Sequence, residues 1–193
     1  PPTSLDIAPD HPVARRLAAL SEPRCYLLRR GLNESEKAPA QEILVKEVRK
    51  LKEFFALSAA DGGRRVAIVD AVDEMNTSAA NALLKLLEEP PAGVTFFLIS
   101  HQPFRLLPTI RSRCRELRLH PLPASQMAEA LAQAGAQIDA PDAMAELAGG
   151  SVGEALRIAN LDGMQLYRGI IALFATLPRL DRQKALALAD LAA

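Results

Sequence analysis

Apolar positions in the first part of the chain follow two rhythms. Three short, almost unbroken runs, CYLLRR (25–30), VAIVD (66–70) and VTFFLIS (94–100), have the length of strands. Continuous apolarity of this kind predicts strands covered on both faces, as in a parallel sheet. Between the runs the period lengthens. From about Ala40 to Leu57, Leu44, Val48, Leu51 and Phe55 recur at helical spacing while Lys46, Glu47, Lys50 and Lys52 fall elsewhere, and DGGRR then breaks the pattern. In NTSAANALLKLLEEPP, Asn76 or Thr77 can cap a helix, Ala80, Leu83, Leu84 and Leu87 form its apolar stripe, and Pro90-Pro91 forbids continuation. Strands alternating with helices imply right-handed crossovers and an α/β fold.

The flanks read differently. Residues 1–24 are proline-rich, with at most a short helix in HPVARRLAAL, and GLNESEKAPA (31–40) is a loop. RELRL (115–119) alternates as a short edge strand would, and HPLP looks like a hinge. Beyond it everything is helical. Ser125 can cap QMAEALAQAG, Pro141 sits where a first helical residue would, Gly149-Gly150 closes that helix, and Ser151 with Glu154 makes a capping box for VGEALRIAN. MQLYRGIIALFATL is a longer helix leading to Pro178, and Asp181 can cap a last one.

Composition narrows the functions. The 193 residues are 49% apolar, enough for a sizeable core and against a disordered chain. Lys+Arg and Asp+Glu both number 23, so no global field recruits nucleic acid or membrane, and anion binding must come from local clusters. One such cluster exists: Arg105, Arg111, Arg113, Arg115 and Arg118 against the single acid Glu116. Cys25 and Cys114 form no CxxC pair, which encodes neither a disulfide framework nor a zinc module and suits a reducing, cytoplasmic setting. No apolar stretch reaches the roughly 20 residues that span a bilayer. The absence of an initial methionine and the helical pattern at the last residues predict a piece of a longer protein.

In an open parallel sheet, ligands gather beyond the carboxyl ends of the strands. Asp70 ends one run and is followed by Ala71; Ser100 and His101 end another. A strand-end aspartate is where P-loop nucleoside triphosphatases hold magnesium through water, although turn chemistry also favours Asp there. Ser112 suits a backbone hydrogen bond that sets its loop, and Cys114 reads as a small buried side chain rather than a nucleophile, since spacing sets no histidine beside it. Lys85, Glu88 and Glu89 form a solvated helix face whose acids oppose the macrodipole, and Arg64 and Arg65 are turn charges.

The stretch from VAIVD to TIRSRC, with SAANALLKLLEEPP and SRC as its most specific marks, resembles the clamp-loader branch of the AAA+ proteins, and GGSVGEAL extends the likeness over roughly residues 25–165. The resemblance implies a P-loop-type core at 1–121 without its phosphate loop, a helical lid at 122–165, and the start of a helical collar domain at 166–193. The departures matter more. Active members carry an acid directly after the strand-end aspartate, where this chain has Ala71, and a sensor arginine where it has Gly153; no G-x-x-x-x-G-K-[ST] loop occurs. Ser100 and His101 share the first-sensor position.

These losses imply a non-motor member without ATPase activity of its own, holding no cofactor, with ATP and magnesium bound by neighbouring subunits. In the family the SRC arginine points into the neighbour's nucleotide site, so Arg113 is the expected arginine finger in trans, with Arg111, Arg115 and Arg118 as solvated charges. Implied partners are gamma/tau-type ATPase subunits and the delta subunit, and through them the sliding clamp and primed DNA, whose phosphates could meet the helix starting at Asn76. Two alternatives stay open: a truncated active gamma/tau-like ATPase, and a nucleic-acid module using the arginine loop.

Overall fold

In this computed structural model, residues 7–33, 38, 40–56, 63–138 and 140–191 are described, which leaves Leu57 and parts of the expected 31–40 loop and DGGRR break outside them. The chain divides into two compact units, residues 1–116 and 117–193.

The first unit contains α1 (Pro12–Ala18), β1 (Cys25–Leu28), α2 (Val45–Ala56), β2 (Arg65–Asp70), α3 (Thr77–Glu88), β3 (Val94–Ile99) and a short α4 (Pro108–Arg111). The three strands form a parallel sheet in the order β1-β2-β3, with Leu28 opposite Val69 and Val69 opposite Leu98. Two successive right-handed crossovers that step in one direction across a sheet place both helices on the same face. The core has that arrangement: Leu28, Ala67 and Val69 from the sheet cluster with Val48, Leu51 and Phe55 of α2 and Ala79, Leu83 and Leu86 of α3.

Among the described residues, the expected coverage on both faces is incomplete, most clearly on β3. The opposite register positions are less protected; Phe97 is 56% and Ile99 40% exposed. On α3 the buried stripe is Ala79, Ala80, Leu83 and Leu86, rotated from the expected one, with Leu84 and Leu87 only half-buried. Asn76 is its cap: the Ala79 N–H donates to Asn76 Oδ1 at 2.9 Å. Arg65 is no mere turn charge. Its Nη1 donates to the carbonyls of Phe54 and Phe55 at 3.2 and 3.0 Å, which satisfies the last turn of α2, and its guanidinium lies 5.5 Å from the Phe55 ring centroid.

RELRL forms no strand. Residues 115–120 have no regular secondary structure, and Leu117 and Leu119 are 83% and 87% exposed. Alternation marks a segment that could line a sheet, but a strand also needs an edge to pair with.

The second unit holds α5 (Ala124–Gln133), α6 (Pro141–Leu147), α7 (Val152–Asn160), α8 (Gly163–Phe174) and α9 (Arg182–Leu191). Met127, Leu131, Met144, Ala145, Ala148 and Ala155 form its core. Pro141 opens α6 as expected. Gly150, at φ +73°, follows that helix, and a Cβ there would lie 2.5 Å from that of Pro121. The cap of α5 is Pro123 rather than Ser125, which lies inside the helix, so the helix begins two residues earlier and without a side-chain cap bond. Half of the capping box on α7 forms: Glu154 N–H donates to Ser151 Oγ at 3.3 Å, while the Glu154 carboxylate turns to Arg157 instead. The arginine holds that carboxyl below its ordinary pKa. Asp181 caps α9 through the N–H groups of Gln183 and Lys184.

Candidate functional site

Two clusters at the ends of first-unit elements carry the chemistry. The first lies beyond the carboxyl ends of β1 and β2, a recess of about 270 Å³ lined by Arg29, Arg30, Asp70, Ala71, Glu74 and His101. Asp70 ends β2, and the chain then enters a 3-10 turn, Val72–Glu74, that sends Ala71 and Val72 inward at 3% exposure each. The carboxylate of Asp70 is engaged by this chain itself: Arg29 Nε and Nη2 both donate to Oδ2, at 3.0 and 2.9 Å. Next to it, Arg30 Nε lies 2.9 Å from Glu74 Oε2. The His101 N–H donates to Asp73 Oδ1 at 3.0 Å, and Ser100 Oγ is buried without a protein hydrogen-bond partner among the described residues.

A magnesium–nucleotide makes two demands here: a carboxylate free to order the metal's waters, and a group able to polarise attacking water. The residues present do not fit it. A guanidinium occupies the aspartate, and position 71 offers only a buried methyl. Sequence reasoning reached Asp70, Ala71, Ser100 and His101 but missed Arg29 and Arg30, although they directly follow an apolar run and so satisfied the same strand-end rule.

The second cluster is the turn after α4. Ile110, 2% exposed, anchors that short helix, and Ser112 Oγ donates to the Thr109 carbonyl at 3.1 Å. The N–H groups of Arg113 and Cys114 donate to the carbonyls of Ile110 and Arg111 at 3.1 and 3.3 Å, which tightens the turn. The Arg113 side chain retains 36% exposure, and its guanidinium is gripped from two sides: Nη1 donates to the Thr109 carbonyl at 2.9 Å, and Nη2 lies 2.9 Å from Glu88 Oε1. Cys114 was expected to be buried; the residue is exposed, on a surface turn, yet protein packed beside its sulfur raises the thiol pKa and keeps it a poor nucleophile. Glu88 was read as part of a solvated face and is the finger candidate's partner. Acids opposing the dipole at the end of α3 were the available signal.

Gly153 sits in the first turn of α7, and a Cβ there would meet nothing within 4 Å. Packing does not require glycine at this position. Gly153 belongs to the second unit and the other candidates to the first.

Comparison with known proteins places this geometry. The family described as DNA polymerase III, delta subunit, matches residues 13–123. The chain belongs to the delta-prime family of DNA polymerase III. It is 43% identical to the delta-prime subunit of Pseudomonas aeruginosa over 148 residues, which is 76% of this chain and 43% of that protein. It is 37% identical over 147 residues to the Escherichia coli delta-prime subunit, 73% of this chain and 44% of the relative. The tau subunit of Salmonella typhimurium is 32% identical over 78% of this chain and 25% of its own length. The chain thus spans less than half the length of these relatives. Among solved structures, a DNA polymerase III gamma subunit-related protein of Thermotoga maritima matches 82% of this chain and 51% of its own with a TM-score of 0.53 at 24% identity. This likeness concerns the fold: a parallel sheet with flanking helices, followed by a helical unit. No helix among the described residues is long and apolar enough to cross a membrane.

Proposed function

We propose that this chain is a non-motor subunit of the replicative clamp loader, acting in the cytoplasm with gamma/tau-type ATPase subunits and a delta subunit so that the sliding clamp is loaded onto primed DNA. Its part in the chemistry is Arg113, lent to ATP and magnesium held by an adjacent subunit. The observation that carries this reading is the contrast between the two clusters. The chain's own strand-end carboxylate faces Arg29 and is followed by the buried Ala71, whereas the Arg113 guanidinium, although paired with Glu88, stands at a surface turn with N–H donors left over among the described residues. A planar, permanent cation delivered there stabilises charge building on phosphoryl oxygens without needing a nucleotide of its own. Likeness to a tau subunit raises the active-ATPase alternative, but Ala71 and the Arg29–Asp70 pair argue against it.

The test is Arg113→Ala in the complete subunit, reconstituted with its ATPase partners. Trans-acting arginine fingers contribute about 10³- to 10⁵-fold in rate, so turnover at the adjacent site is expected to fall by about 10³-fold or more while assembly stays intact. An unchanged rate in an intact complex overturns the assignment.

A further inference from the structure

The finger loop is held by a residue of a different element, and we propose that Glu88 is the positioning residue for Arg113. This rests on the reading of Arg113 as a finger. Glu88 is the last residue of α3 and Glu89 follows as its cap, so two acids sit where the helix dipole is already negative. Such placement is eased by cations nearby: Lys85 lies in the same last turn, and Arg113, from another element, pairs with Glu88 directly, with Nη2 at 2.9 Å from Oε1.

Geometry makes the pair a clamp rather than a chance surface contact. The Thr109 carbonyl takes Nη1 at 2.9 Å, Ser112 Oγ lies 3.5 Å from the same nitrogen, and Glu88 takes Nη2. A guanidinium carries five N–H donors in a fixed plane, so fixing both terminal nitrogens fixes where the remaining donors point. The two jaws belong to elements that are themselves anchored, α3 by Leu83 and Leu86 and α4 by Ile110, and α3 packs against α4. A long, flexible side chain is thereby held in one orientation before any phosphate arrives, which lowers the ordering cost of binding the transition state.

Stability is a poor explanation for the pair. Side-chain exposures of 36% and 42% put it among surface ion pairs, which contribute little to folding. Removal of Glu88 should leave the subunit folded and change how often the finger is in place.

The experiment uses the complete subunit in the reconstituted ATPase complex, with Glu88→Ala, Glu88→Gln, Arg113→Ala and the double variant Glu88→Ala/Arg113→Ala, each checked for thermal midpoint and assembly. Glu88→Ala is expected to lower kcat about two- to fivefold, the order of one exposed charge-assisted contact, with KM for ATP unchanged. Glu88→Gln, whose amide oxygen still accepts from Nη2, should recover most of the rate. In the Arg113→Ala background Glu88→Ala should do nothing further, because the only group it positions is gone. Three outcomes overturn the proposal while leaving the finger standing: an unchanged kcat for Glu88→Ala beside a reduced Arg113→Ala, a raised kcat for Glu88→Ala, or an equal further loss in the double variant. An unchanged rate for Arg113→Ala overturns the finger and the positioning role with it.

Discussion

Arg29 and Arg113 are each bonded to a carboxylate of their own chain, and the difference in what those carboxylates would otherwise do separates the two clusters. Arg29 takes Asp70, the strand-end carboxylate, and sets a positive charge beside it. Arg113 takes Glu88, which sits at the surface end of a helix. The motor family's missing acid cannot simply be put back. Ala71 is 3% exposed before the 3-10 turn, so Ala71→Glu would force a bulky third carboxylate in beside Asp70 and Glu74 while Asp70 stays engaged. The expected result is a loss of about 2–3 kcal/mol of stability and no ATP turnover, checked by denaturant unfolding and phosphate release. Turnover by that variant would mean that Arg29 does not hold Asp70 in solution. Asp70 and Ala71 were legible in the sequence because they end an apolar run. Their partner was not, since 41 residues separate Arg29 from Asp70 and periodicity carries no information about pairing across strands.

Elements were legible where a local signal marks both their period and their ends. α3 is the clearest case, with Asn76 accepting from the Ala79 N–H at one end and prolines beyond the other. Asn76→Ala is expected to cost about 1 kcal/mol, read as a shift in the denaturation midpoint without a change in slope, because a cap acts on the folded helix and not on the surface exposed by unfolding. A change under about 0.3 kcal/mol would mean that the side-chain bond is not formed in solution. The elements misread were those whose fate depends on neighbours. RELRL has the alternation of a strand but pairs with neither edge strand of the sheet, and among the described residues β3 is less covered on one face because the order β1-β2-β3 sends α2 and α3 to the other. Strand order is a property of the assembled sheet, so the apolar run VTFFLIS could not announce that Phe97 and Ile99 would lie open.

At the scale of the whole molecule, charge decides between a subunit that meets DNA only through its partners and one that grips it alone. The chain carries 23 basic and 23 acidic residues, and the arginine-rich stretch is partly neutralised by its own fold, with Arg113 held by Glu88. Nonspecific DNA binding draws its free energy from counterions released by each cation that meets a phosphate, and it weakens with salt at a slope set by the number of such contacts. A net-neutral chain with Arg113 already paired has one cation fewer to offer and no excess positive charge to hold DNA. The isolated chain is therefore expected to bind duplex or primed DNA more weakly than about 10⁻⁴ M at physiological salt, below the usual nonspecific range, with a shallow salt dependence. Fluorescence anisotropy with a labelled primer-template across a salt series measures both quantities. Micromolar affinity that falls steeply with salt would instead make the loop from Arg105 to Arg118 a nucleic-acid surface in its own right. In that case Glu88→Ala, by releasing Arg113, should tighten DNA binding, whereas a subunit that lends its arginine to a neighbour's nucleotide should show no such gain.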